Sequence, residues 1–113
     1  MNYETRCVKI KIKPDSLEKV LSWAKTINER KDEALQTLRD EGVILETVFL
    51  DQTVEGDFLI YVMKAESFEK AREAVQKSIH SIDEYHQNFK KECWEDSRKL
   101  EMLIDLDRIS ELK

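Results

Sequence analysis

The sequence predicts an α+β domain of ferredoxin-like plan, βαββαβ, with a four-stranded antiparallel sheet and helices on one of its faces. Three observations carry that prediction. Stretches alternating apolar and polar residues occur near the start, in the middle and near the end of the chain, with helical periodicity between them. The two middle stretches are separated only by a short loop holding Gly56, as in a hairpin. The 113 residues contain 2 Gly and 1 Pro, so nothing divides the chain and residues 1–113 read as one domain with its core at about 5–107.

The first strand spans Thr5 to Lys13, with Val8, Ile10 and Ile12 on one side and Cys7, Lys9, Lys11 and Lys13 on the other. Pro14 ends it, and Asp15 with Glu18 is expected to cap the next helix. From Ser16 to Glu41 a helical stripe runs through Leu17, Val20, Leu21, Ala24, Ile27, Ala34, Leu35 and Leu38. The stripe fades at Asn28 to Lys31, where a kink or break is expected, and Gly42 stops the helix. Val43 to Asp51 and Phe58 to Lys64 form the hairpin strands. Ser67 to Ile79 is helical, and Ser81 with Glu84 marks a further helix from Ile82 to about Trp94. Lys99 to Asp107 alternates again and is assigned as the fourth strand, followed by a short tail.

Composition narrows the function. Apolar residues are 41% and charged residues 38%, which fits a packed core beneath a solvated surface. The net charge of −5 argues against nucleic-acid binding, which needs clustered Lys and Arg. No apolar run approaches a membrane span, and the N-terminus lacks a signal-peptide pattern, so a cytoplasmic location is expected. Cys7 and Cys93 are too few for a disulfide framework and read as small apolar residues. No glycine-rich phosphate loop, serine elbow, CxxC or HExxH is present, so neither a cofactor nor a metal is expected. Haem ligation by His86 has no other residue to support it.

Helices cover one face of such a sheet. With Val8, Ile10 and Ile12 beneath them, the uncovered face is assigned Lys9 and Lys11, then Ile44, Glu46, Val48 and Leu50, then Leu59, Tyr61 and Met63, and last Glu101, Leu103 and Asp105. So apolar a face implies a homodimer joined sheet to sheet, with a partly polar, ligand-binding cavity between the sheets. In that cavity Glu46 would serve as a base, Tyr61 as a hydrogen-bond donor, and Lys9, Lys11 and Glu101 as ligand contacts. The opposing readings are an open sheet with solvated cross-strand ion pairs, and a non-catalytic dimeric interaction module whose sheet face serves only assembly. His86 shares a helical stripe with Ile79, Ile82, Phe89 and Cys93 and is a candidate acid–base group, with Asp83 one turn earlier able to fix its tautomer. Trp23 and Trp94 read as packing residues.

The runs Glu33-Ala34-Leu35 through Leu38, Glu41-Gly42-Val43, Glu46-Thr47-Val48-Phe49-Leu50, Phe58-Leu59-Ile60-Tyr61-Val62-Met63 and Ile82-Asp83-Glu84-Tyr85-His86-Gln87-Asn88-Phe89 resemble, over about residues 5–107, a group of uncharacterised small bacterial proteins among the dimeric α/β barrels. Of families with known chemistry, the chain resembles the L-rhamnose mutarotases and, more distantly, the antibiotic-biosynthesis-type monooxygenases. The resemblance implies a dimer and either sugar isomerisation or cofactor-free oxygenation. Where those mutarotases carry a catalytic His in the first helix this chain has a residue near Ile27, and Tyr85 to Phe89 stands where they carry adjacent tryptophans.

Overall fold

A computed structural model describes residues 2–112. The order is β1 (Glu4–Ile12), α1 (Leu17–Glu29), α2 (Lys31–Glu41), β2 (Val43–Thr53), β3 (Gly56–Ala65), α3 (Phe68–Gln76), α4 (Ser81–Cys93) and β4 (Trp94–Lys99), then a 3-10 turn at Ile109–Glu111. The strands form one antiparallel sheet in the order β2-β3-β1-β4. The ferredoxin-like plan is therefore observed, with each helical segment divided in two.

The break expected near Asn28 to Lys31 falls at Arg30, whose backbone leaves helical geometry (φ −103°, ψ 35°). Gly42 ends α2 in the left-handed conformation at φ 72°. Two capping expectations are corrected. Ser16, not Asp15, occupies the N-cap of α1; Asp15 sits at φ 62° in the turn before it. His80, not Ser81, precedes α4, while Ser67 does cap α3, its side chain accepting from the Lys70 amide.

The fourth strand is also corrected. β4 is Trp94–Lys99 and follows α4 without a loop, pairing Lys99 with Val8 and Ser97 with Ile10. The position of α4 decides this: the Lys13 amide bonds the Cys93 carbonyl at 2.8 Å, so the strand begins where the helix stops. The alternating stretch beyond it forms no strand, and Met102, Leu103, Ile104 and Leu106 are exposed. This arm is held at Asp105 and Asp107, which take hydrogen bonds from Lys64 at 3.2 Å and 2.5 Å, and at Asp105 from the Thr5 hydroxyl at 2.8 Å.

The face assignment holds for β1 and is overturned for β2 and β3. Val8 pairs with Tyr61, and Tyr61 with Val48; Arg6 pairs with Met63, and Met63 with Glu46. Residues directly opposite across an antiparallel pair share a face, so Glu46, Val48, Leu50, Leu59, Tyr61 and Met63 lie on the face of Val8 and Ile10, beneath the helices. A bulge between Val43 and Leu45 resets the β2 register at Ile44. The uncovered face carries Lys9 and Lys11 as expected, with Cys7, and in place of the expected β2 and β3 residues Thr47, Phe49, Phe58, Ile60, Val62 and Lys64.

Two separate apolar clusters join the layers. One gathers Ile10, Ile12, Val20, Trp23, Leu59, Tyr61, Phe89 and Cys93; the other gathers Val43, Ala65, Phe68 and Ala71, with Leu38 and Met63 against it. The space between them is the site described next.

Candidate functional site

A cleft of about 1070 Å³ opens between helices and sheet and is lined by residues of both clusters. Each wall follows from local periodicity. On α1, Val20, Trp23 and Ile27 recur at helical spacing and point to the sheet, burying Trp23. On α4, Ile82, His86, Phe89 and Cys93 do the same, and Lys90 lies one turn beyond His86. Strand alternation on β2 and β3 supplies Glu46 and Tyr61, diagonal neighbours across the pair, and Trp94 opens β4.

Aromatic rings pack along one end. Trp23 stacks on Phe89 with centroids 4.4 Å apart and planes 4° apart, and His86 lies 5.6 Å from Trp23. Trp94 meets Tyr61 edge-on at 5.4 Å, and the Lys90 ammonium lies 4.6 Å above the Trp94 ring. The Trp23 indole donates to His86 Nδ1 at 3.1 Å. Because an indole N–H only donates, that nitrogen must accept, and the neutral ring carries its proton on Nε2. Burial, and secondarily the Lys90 charge, lower the His86 pKa to about 4, so the ring is neutral at physiological pH.

Among the described residues two buried polar side-chain atoms are left over. The Tyr61 hydroxyl and Trp94 Nε1 are buried with no hydrogen-bond partner, although Tyr61 is only 3% exposed. The indole lies near enough to offset part of the rise in the phenol's pKa, but the two form no bond of normal geometry. Burial raises the Tyr61 pKa, and Glu46 adds to the rise, so the hydroxyl keeps its proton and remains a donor. Water reaches Glu46 through the cleft, yet the protein surrounding its carboxyl raises the pKa; Lys90 opposes the rise and Asp83 adds to it. Burial, then Asp83 and Glu46, push the Glu41 carboxyl, which also lines the cleft, up to about 7. Burial lowers the Lys90 pKa.

Of the six residues expected at the site, Glu46, Tyr61 and His86 meet in this cleft. They do so under the helices rather than between two sheets. Lys9, Lys11 and Glu101 lie elsewhere: Lys9 is 3.7 Å from Asp51 and over the Phe58 ring, Lys11 is 3.6 Å from Glu95, and Glu101 stands exposed on the arm. Asp83 accepts from the Ser78 hydroxyl, and Trp23, 63 residues from His86 in sequence, sets the tautomer instead. Trp23, Trp94, Lys90 and Glu41 were not legible as site residues. The spacing of Trp23 from Val20 and Ile27, and of Lys90 from His86, was the available signal. Among the described residues no group of three or more His, Cys, Asp or Glu is arranged to hold a metal ion.

The cleft brings the Glu46 carboxyl, a neutral His86 whose Nε2 carries a proton, and flat aromatic walls together, with the Tyr61 hydroxyl and Trp94 Nε1 buried in its lining. Residues 3–111 match the model of a family of unknown function, DUF6176, and the chain belongs to that family. No curated protein matches it in sequence. A conserved protein from Methanosarcina mazei Go1 is similar in structure at 21% identity and TM-score 0.53, over 85% of this chain and 87% of that one. So is a "Putative antibiotic biosynthesis monooxygenase" from Nitrosomonas europaea, at 14% identity and TM-score 0.53 over 87% and 85%. A protein of Pseudomonas aeruginosa follows at 11% identity and TM-score 0.54 over 88% and 93%. These similarities establish the fold. They give no support to a specific tie to the L-rhamnose mutarotases.

Proposed function

We propose that this member of a family of unknown function is a small-molecule enzyme that moves a proton on an oxygen-bearing ligand in the helix–sheet cleft, as an isomerase does. The observation that carries this reading is the pair of unpartnered buried donors, Tyr61 Oη and Trp94 Nε1, in a cleft that also holds Glu46. Orphaned donors cost free energy unless a ligand oxygen satisfies them. Glu46, with its raised pKa, accepts the proton, and Glu41, titrating near neutral pH, is a carboxylic acid in the same cleft able to return one. Neutral His86 presents Nε2–H as a further donor. Aldoses tested by saturation-transfer NMR, with anomer exchange followed in wild type and E46Q, check the reading. Exchange abolished in E46Q supports it, and no binding of any aldose removes the sugar form of it.

The aromatic walls favour a second reading, cofactor-free oxygenation. Glu46 would deprotonate an electron-rich aromatic ligand, whose anion would reduce dioxygen directly. A ring methylene becomes a carbonyl, taking one oxygen atom, and the second leaves as water with the two hydrogens. Oxygen uptake with anthrone as substrate, lost in E46Q, distinguishes this from isomerisation.

We also propose a homodimer joined through the uncovered face. Its support is Leu45 and Phe49 exposed on that face and the apolar residues of the arm beside it. Light scattering of wild type and F49D gives the mass; a monomeric wild type at micromolar concentration rejects the dimer.

A further inference from the structure

The cleft is larger and longer than its polar end needs. At about 1070 Å³ it stands at the top of the range of small-molecule sites, well beyond a monosaccharide. Away from Tyr61 and Trp94 its wall carries a run of apolar side chains, Leu35 and Leu38 from α2, Met63 from β3, and Phe68, Ala71 and Val75 from α3, beside the charged Lys31, Glu69 and Arg72. Leu38, Met63, Phe68 and Ala71 belong to or border the second apolar cluster, which does not merge with the aromatic one. A domain of this size ordinarily closes such a gap, because each unfilled methyl-sized void costs stability. Here the gap stays open and joins the compartment with the orphaned donors. The Arg6 guanidinium lies 4.1 Å from the Phe68 ring centroid and covers one of its faces.

We propose that the ligand is amphipathic: an oxygen-bearing head at Tyr61, Trp94 and Glu46, and an apolar tail lying in the trough between α2 and α3. This deepens the proposed function and rests on it for the position of the head. It makes the substrate an acylated or alkylated oxygen compound rather than a free sugar. The tail supplies affinity through burial, and the head is set by the two donors.

The n-alkyl 4-hydroxybenzoates from methyl to octyl test this, with binding read from the fluorescence of Trp23 and Trp94. Affinity rises about three- to fourfold per methylene where the chain enters apolar surroundings. A71W fills the trough and removes that dependence while methyl ester binding persists. L35E, at a residue 36% exposed and so tolerant of charge, does the same by placing a carboxylate at the mouth, and circular dichroism checks the fold of both. Equal affinity from methyl to octyl overturns the tail and leaves the head site standing. A chain-length dependence unchanged in both folded variants also overturns it. Failure of every ester to bind overturns the head site and the tail together.

Discussion

The Trp23 indole donates to His86 Nδ1 at 3.1 Å, which joins α1 to α4 across the cleft and fixes which histidine nitrogen keeps the proton. Their stacking, at 5.6 Å between centroids, holds the same orientation. The imidazole is thus built in as a neutral donor, not as a cation. W23F is expected to free the tautomer, so that 15N chemical shifts of His86 report a mixture in place of the Nε2–H form alone.

Acid stability should carry the signature of His86. Its pKa is lowered to about 4 by burial first and by Lys90 second, against about 6.5 in an unfolded chain. Above pH 6.5 both states are neutral and stability is unaffected. Between about 6.5 and 4 the unfolded chain takes the proton first, so stability falls, by roughly 2–3 kcal/mol. Glu41 acts in the opposite sense. Its pKa is raised to about 7, so its contribution is present below pH 4.5 and lost as pH rises through 7. Urea unfolding of H86Q across this range should lose the acid slope, and E41Q should steepen it.

Removing the Tyr61 hydroxyl separates stability from function. An unpartnered buried hydroxyl stabilises nothing, so Y61F is expected to change unfolding free energy by less than about 1 kcal/mol. Loss of a ligand donor lowers affinity or turnover about ten- to a hundredfold. A large loss of stability in thermal melts would show that the hydroxyl has a protein partner.

Gly42 tests the end of α2. At φ 72° a side chain is disfavoured, and a Cβ there would stand 2.9 Å from Glu66 Oε2, the mobile end of a side chain. G42A should cost about 1–2 kcal/mol in urea unfolding, nearly all of it backbone.

The arm depends on one lysine. Lys64 is 5% exposed on the face the helices leave open, under a thin cover supplied by the arm itself, and its pKa is raised first by Asp107 and then, despite some desolvation, by Asp105. D105N/D107N should release the arm, so that trypsin cuts at Arg108 sooner than in wild type.

Much of this was written into the sequence. Val8, Ile10 and Ile12 alternate, Val20 and Phe89 fall on helical stripes, Gly42 stops a helix and Gly56 turns a hairpin, and the βαββαβ order follows from local rules. Glu46, Tyr61 and His86 could be chosen because carboxyl, phenol and imidazole chemistry does not depend on position. Their location was not legible. Strand alternation divides residues into two sets but does not say which set meets the helices, and the apolar residues in both sets of β2 and β3 gave no asymmetry to decide it. The register with β1 decided it, because Val8, Tyr61 and Val48 stand side by side.

The fourth strand shows the same division. Leu100 to Leu106 has the better strand pattern, yet Trp94–Lys99 forms the strand, because α4 delivers Trp94 beside Ile12 and backbone pairing begins there. The sequence by itself determined the first three strands, the helices, the βαββαβ order and the chemistry available, since these depend on neighbours a few residues apart. The tertiary structure alone decided which face is covered, that Trp23 reaches His86, and that two apolar clusters leave a cleft between them. Each of those depends on contacts between residues far apart in the chain, which no local periodicity encodes.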